Sequence, residues 1–419
     1  MLTIGACSNQ QTHQKNTAGY IHSSSEGVPV VLPTTPKWTL QSSTSIVPST
    51  LSTNNLMGVS CVKSNLCIAV GYARNISHGP SNGATRDYAL EWNGARWNLN
   101  FSSKLSVRTS TSSYLAAVSC PAVSFCAAVG GFNYGYSTGQ NLLALKYRTK
   151  WKLITTSALS SSRAQDNFMS GISCPTTALC FASGGYTDAS GAVQNLLLRW
   201  QNGKLTKFDS PALSTSPSQY NDLINVSCTS ASFCVAAGVY YDGKTRQSIG
   251  HNLVLAWNGS TWSRTPVPDG GPQGSAINWV SCAASTFCVA AGGFFNGSAG
   301  RNFLLVFNGT TWLLDSSPQL STSPNQTNGF NSISCISKTY CVAAGNYLVG
   351  QTEQNFISTF NGTTWLLDSS PQLSTSPTQA SLLNSIDCAP SGACMAVGNY
   401  FDGPTPSSSI GRDFAIDGP

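Results

Sequence analysis

A short signature recurs seven times along the chain: Ser or Asp, then Cys, five residues, Cys, one residue, Ala, one residue, Gly. The first cysteines are Cys61, Cys120, Cys174, Cys228, Cys282, Cys335 and Cys388, spaced 53 to 59 residues apart, and each has a partner six positions on. A supersecondary unit repeated at so regular a period cannot bury its apolar face alone, so neighbouring units must stack. The chain is therefore expected to fold as one array, although 419 residues would suffice for two or three ordinary domains.

The fifth repeat shows what each unit must be. Ile277 to Cys282 reads as a strand, Ala283-Ala284-Ser285-Thr286 as a turn, and Phe287 to Gly292 as the returning strand. Cysteines flanking so short a turn face each other on adjacent antiparallel strands, where a bridge is feasible. After a loop from Phe294 to Arg301, a third strand runs Asn302 to Phe307. Asn308-Gly309 predicts a two-residue hairpin, and Trp312-Leu313-Leu314 begins the fourth strand. The turn recurs at Asn93-Gly94, Asn258-Gly259 and Asn361-Gly362, and in altered form at Asn202-Gly203.

Four antiparallel strands per unit, seven times over, predict an all-β fold: a seven-bladed β-propeller with one disulfide in each blade. The second Cys, the Ala and the Gly of each signature share one strand face, and small residues there suit crowding near an axis. The last unit ends at Asp413-Phe414-Ala415-Ile416 without a fourth strand, whereas Lys37-Trp38-Thr39-Leu40 has that strand's pattern but no unit of its own. Residues 37–43 are thus expected to complete the last blade, in a three-plus-one closure. Residues 29–419 form the single folded body, and 1–28 a lipobox-like start and polar tether.

Only 9% of residues are charged and 41% are hydrophobic, which provides a large core. The net charge of +6 contains no Lys/Arg run, which argues against nucleic acid or an anionic membrane as partner. Acids are scarce, with Glu26, Glu91 and Glu353 the only glutamates, which fits an acidic habitat. Fifteen cysteines divide into seven pairs (Cys61–Cys67, Cys120–Cys126, Cys174–Cys180, Cys228–Cys234, Cys282–Cys288, Cys335–Cys341, Cys388–Cys394) and one left over. Local disulfides imply an oxidising, extracellular compartment. Zinc is a poor alternative, because no histidine recurs with the pairs, and no cofactor or metal is expected. The odd Cys7, in Ile4-Gly5-Ala6-Cys7-Ser8, resembles the lipid-modified cysteine of a bacterial lipobox. Only six residues precede it, so a surface lipid anchor and an unmodified cysteine both stand.

Connectivity puts the short turns at one end of the array and the longer links at the other. At the long-loop end an aromatic recurs after strand two: Tyr72, Phe132, Tyr186, Tyr240, Phe294, Tyr347 and Tyr400. A polar pair precedes strand three: Arg86-Asp87, Gln140-Asn141, Gln194-Asn195, His251-Asn252, Arg301-Asn302, Gln354-Asn355 and Arg412-Asp413. Rings cover the apolar side of a pyranose, while amides and guanidinium groups bond its hydroxyls. The candidate ligand-binding set is the seven rings with Arg86, Arg301 and Arg412. The alternative is packing, with each ring plugging the gap between units and each Asn holding strand three. No nucleophile elbow, zinc-protease, phosphate-loop or dinucleotide motif occurs, and no pair of acids is singled out.

Gly259-Ser260-Thr261-Trp262, Gly309-Thr310-Thr311-Trp312 and Gly362-Thr363-Thr364-Trp365 are similar to the second half of the Asp-box of sialidase-like propellers. The first half is absent, since Trp257, Phe307 and Phe360 stand where the Asp belongs, so the resemblance implies the fold and not the activity. From about residue 37 to 416 the chain resembles secreted actinobacterial repeat proteins with SCP-x4-C-x-AVG and W-N-G-x-x-W segments, as at Ser119-Cys120-Pro121 and Ser173-Cys174-Pro175. That resemblance implies a secreted propeller and carries no activity. The sequence thus points to an extracellular binding module, with a polysaccharide or glycan as first partner and a surface protein as alternative. A sialidase-like hydrolase comes third.

Overall fold

The structure is a computed structural model. It describes residues 38–42, 52–75, 85–102, 111–134, 139–155, 166–211, 213, 220–241, 249–297, 299–318, 320, 327–349, 352–373, 380–402 and 410–419. These residues form strands, turns and irregular links, with no helix among them. The strands group into seven antiparallel sets of four. Five are separate sheets in sequence order or, for the last, with an N-terminal strand added. The third and fourth sets merge into one eight-stranded sheet, through a single parallel bridge between Val193 and Tyr220.

The fifth unit again serves as the type. Its strands are Ser275–Ala284, Phe287–Asn296, Ala299–Phe307 and Trp312–Asp315. All four are at least as long as the sequence suggests, and most of the expected loop from Phe294 to Arg301 is strand, since strand two runs to Asn296 and strand three starts at Ala299. Strand two is buried on both faces, which sustains pairing to its end. Each of the seven expected cysteine pairs forms a disulfide within its own unit.

The signature glycine has a reason other than crowding near an axis. In every unit strand one carries a register shift about four residues before its cysteine, as between Leu56 and Gly58 or Leu383 and Ser385. The irregularity presses a strand-one carbonyl against the glycine on strand two. A Cβ on Gly71, Gly184 or Gly398 would overlap the carbonyl oxygen of Asn55, Phe168 or Leu382, and the other four units repeat the pattern. Close approach of backbone to backbone excludes any side chain there.

The residue before each first cysteine joins one unit to the next. Cys120 N–H donates to Ser60 Oγ (3.1 Å), Cys174 to Ser119 (3.0 Å) and Cys228 to Ser173 (2.9 Å). Cys282 donates to Ser227 (3.0 Å), Cys335 to Ser281 (2.9 Å) and Cys388 to Ser334 (3.1 Å). At the seventh junction Cys61 N–H donates to Asp387 Oδ2 (2.7 Å), so the cycle returns to the first unit. Seven hydrophobic clusters follow the same cycle, each joining one unit to its neighbour. The one holding Leu56, Val59 and Trp92 with Met395, Val397 and Ala415 links first unit to last. Each fully buried Leu, Ile or Phe in such a cluster contributes about 1.5–3 kcal/mol.

The N-terminal segment Thr39–Ser42 pairs antiparallel with Ile410–Gly418, Thr39 opposite Asp417 and Leu40 opposite Ile416. Trp38 confirms its place as an outer strand. Its Nε1 donates to Asp368 Oδ2 of the sixth unit (3.1 Å), just as Trp365 Nε1 of the sixth unit donates to Asp315 Oδ2 of the fifth (3.1 Å).

The Asn-Gly turns differ from expectation. Trp257 pairs with Trp262, and Phe307 with Trp312, which leaves four-residue loops rather than two-residue hairpins. The asparagine caps the loop with its side chain: Asn258 Oδ1 accepts from Ser260 N (3.0 Å) and Thr261 N (2.9 Å). Only the altered version, Asn202-Gly203, makes the tight turn, with φ of 51° and 85° between paired Gln201 and Lys204. There no Trp follows to hold the pairing four residues on.

Candidate functional site

The rings lie inside strand two rather than after it, since that strand runs on to Asn75, Tyr134, Thr187, Tyr241, Asn296, Val349 and Asp402. Strand register sets what each ring faces. Phe132 stands opposite Gln140, Tyr186 opposite Gln194 and Tyr240 opposite His251. Phe294 stands opposite Arg301, Tyr347 opposite Gln354 and Tyr400 opposite Arg412. Directly opposed residues share a sheet face with Cβ atoms about 4.5–5.5 Å apart. Six units therefore place a ring beside a polar side chain at the long-loop end.

Tyr72 does not belong to this set. It sits one residue early, on the other strand face, opposite Asn55 and Asp87, and Asn55 Nδ2 donates to its hydroxyl (3.4 Å). Ala73 takes the ring position in the first unit, opposite the exposed Arg86. Phe132 is also withdrawn: it is 4% exposed and part of the cluster between the first two units. The other five rings are half-buried members of the inter-unit clusters. Their inner edges meet core aromatics, Phe294 on Phe303 (6.3 Å), Tyr347 on Phe356 (6.2 Å) and Tyr400 on Phe414 (6.2 Å). Burial also pushes the Tyr347 hydroxyl above its ordinary pKa. Plugging the gap is thus one role these rings have; their outer edges remain at the surface.

The second member of each polar pair is scaffold. Asn252, Asn302 and Asn355 are at most 2% exposed. Their Nδ2 groups donate to the carbonyls of Pro268 (2.9 Å), Pro318 (3.0 Å) and Pro371 (3.1 Å), which tie down the chain leaving strand four. Asp87 and Asp413 are fully buried. Ser113 Oγ donates to Asp87, and Asp413 lies against the Tyr88 hydroxyl, whose pKa rises through burial and then that carboxylate.

Two ring faces carry cations that the sequence reading overlooked. Lys207 Nζ lies 3.8 Å from the centroid of Tyr186. Arg264 lies 4.5 Å over Tyr240, and its Nη2 donates to the Tyr240 hydroxyl (2.6 Å). On the same ring, His251 stacks at 5.3 Å, and its Nδ1 meets Asp269 Oδ2 at 2.7 Å. A signal existed: both cations fall two residues after the Trp position of strand four (Leu205 in the third unit, Trp262 in the fourth), where other units carry Leu99, Leu153, Leu314 and Leu367.

Loop Asp188–Ala192 is the one strand-two-to-strand-three link described in full that exceeds two residues, and its acid is inward-bonded. Burial pushes the Asp188 carboxyl up, but bonds from Ser190, Gln194 and Ala192 outweigh this and leave it below the usual range. Gln194 is thereby committed to Asp188 and, through its oxygen, to Asn221 (3.3 Å). Tyr241, a further aromatic of this end, is 6% exposed and packs edge-on against Tyr220 (5.5 Å). Tyr136 and Cys7 lie outside the described residues, as does the side chain of Tyr134. Among the described residues no group of three metal-ligating side chains converges.

No family model matches the chain, and no curated protein does either. Among solved structures it is similar to the GH74 xyloglucanase from Xanthomonas campestris, with TM-score 0.49 and 11% identity over 87% of this chain. The chain spans about half, 53%, of that enzyme's length. It is also similar to a polysaccharide lyase PL25 ulvan lyase (TM-score 0.48, 10% identity, 86% of this chain, 93% of the lyase). Sqt1 from Chaetomium thermophilum matches at TM-score 0.46 and 10% identity, over 90% of each chain. Likenesses this distant carry no statement about the chemistry of the present chain.

Proposed function

We propose that the chain is a seven-bladed β-propeller, closed three-plus-one by Thr39–Ser42, that acts outside the cell as a carbohydrate-binding module. The observation that carries this reading is the cross-strand pairing of a ring with Gln, His or Arg in unit after unit at one end. A half-buried ring is fixed by its core edge and offers an apolar surface at its outer edge. The Arg, Gln or His beside it supplies hydrogen bonds, except in the third unit, where Gln194 is already held by Asp188 and Asn221, and at the His251 Nδ1 taken by Asp269. Ring and polar group together are the pairing of surfaces a pyranose presents. Repetition around the ring suits a polymer, because several weak contacts on one chain add as avidity. The extracellular setting is supported by seven disulfides, which persist in oxidising compartments. Attachment to a cell surface through a lipid on Cys7 remains part of the proposal, and mass measurement of the mature N-terminus tests it.

A protein-binding scaffold is the second reading, favoured by the membership of the five rings in the inter-unit clusters. Replacing Tyr186, Tyr240 and Tyr400 with alanine separates the two. The carbohydrate reading expects a folded protein that no longer retains glycans; unfolding would assign the rings to the scaffold alone.

A further inference from the structure

We propose that the ligand of the long-loop end is an anionic polysaccharide, bearing carboxylate or sulfate groups, gripped by cations set beside the aromatic rings. The inference rests on the carbohydrate reading above. Five of the seven units bring a cation to this level. Arg86 stands opposite Ala73, Arg301 opposite Phe294 and Arg412 opposite Tyr400, while Lys207 and Arg264 lie on the faces of Tyr186 and Tyr240.

The acids of the same end are turned to internal work. Asp166 accepts from Gly139 N (2.6 Å), and Asp188 from Ser190, Ala192 and Gln194. Asp269 takes His251 and Asn252 N (2.7 Å). Asp315 and Asp368 accept indole N–H groups from the next outer strand, and Asp87 and Asp413 are buried. Among the described residues of this end, Asp209 and Glu353 are exposed exceptions, and Asp166 is exposed as well despite its bond to Gly139 N. Among the described residues, five cations at this end thus stand against three exposed acids, in a chain of 22 basic and 16 acidic residues.

Position matters as much as sign. A cation resting on a ring has already lost part of its conformational freedom, so less entropy is lost when it meets an anion. A ring that carries a cation on one face is a poorer platform for a neutral pyranose. The same arrangement improves it for a sugar whose carboxylate or sulfate pairs with that cation while its apolar edge meets the ring. Such contacts are exposed, so they weaken as salt shortens the Debye length to about 8 Å at physiological ionic strength and below that at higher salt.

The test is binding of the full chain to dextran, dextran sulfate and polygalacturonate at low and high salt, with duplex DNA as a further polyanion. At least one anionic polysaccharide should bind about tenfold more tightly than dextran at low salt and lose that margin at high salt. Preference between the two anionic polymers tells sulfate from carboxylate. Lys207→Gln and Arg264→Gln should each weaken anionic binding severalfold, whereas Arg264→Lys should retain most of it; thermal melts confirm that each variant folds. Dextran bound as tightly as the anionic polymers overturns this inference and leaves the carbohydrate reading standing. No polysaccharide bound overturns both. Equal binding of DNA, or anionic binding indifferent to both Gln variants, also overturns it.

Discussion

Asp387 closes the cycle of inter-unit hydrogen bonds with a carboxylate where the other six junctions use a serine hydroxyl. Burial raises its pKa from 3.8 to about 6, offset in part by hydrogen bonds from Cys61, Ser334, Cys388 and Ser60. The folded state thus holds this proton more tightly than the unfolded chain. Below about pH 3.8 both states are protonated and the group imposes no penalty; above about pH 6 both are ionised and the penalty is complete. Two pKa units amount to about 3 kcal/mol. Stability from this group is therefore greatest in acid and is lost as pH rises through 6. Asp387→Ser places the common hydroxyl at the seventh junction and removes the titration. With an unfolding entropy of about 2.1 cal/mol/K per residue, a chain of this size shifts Tm by about 1 °C per kcal/mol if it unfolds as one unit. Calorimetry of wild type and Asp387→Ser at pH 4 and pH 8 is the assay. The wild-type Tm, relative to the variant, should be about 3 °C higher at pH 4 than at pH 8. A difference that does not change with pH, or changes in the opposite sense, refutes the reasoning.

Asp222 should behave alike, because burial raises its carboxyl to about 7 and its Oδ1 has no hydrogen-bond partner. Asp222→Asn is expected to stabilise the protein at pH 8 and to leave it unchanged near pH 4, by the same calorimetry. Gly184→Ala drives a methyl group into the Phe168 carbonyl and should cost about 3 kcal/mol or more, or prevent folding, as read by denaturant midpoint. Trp38→Phe keeps the ring but leaves Asp368 without its indole donor, a loss of about 1–3 kcal/mol in the same measurement. Opening the bridge of the third unit with Cys174→Ala and Cys180→Ala should cost about 2 kcal/mol while leaving the other six bridges intact, as thiol titration will show.

The local parts of this architecture were legible in the sequence. Cysteines six apart around a short turn fix a hairpin, and Trp38 with no unit of its own marks a strand in search of a partner. Three features were not legible, and each depends on pairing across distance. The serine before each cysteine meets its partner 54 to 60 residues away, so no local pattern betrays the bond. Tyr72 follows its signature glycine by one residue where its counterparts follow by two, but only strand register shows that it faces Asn55 and Asp87. The Asn-Gly loops depend on where pairing resumes, and there the following Trp overrides the tendency of Asn-Gly toward a tight turn. Lys207 and Arg264 are a different case. They interrupt a column of leucines and were readable from the repeat alone.

The measurement that tests the account most directly is equilibrium binding of the purified chain to a panel of neutral and anionic glycans at pH 5 and pH 7. It is run beside the Tyr186, Tyr240 and Tyr400 triple alanine variant. Saturable binding by the wild type, lost in a variant that still melts cooperatively, is the expected result. Binding that survives loss of all three rings, or no binding at either pH, contradicts the assignment of the long-loop end as a glycan site.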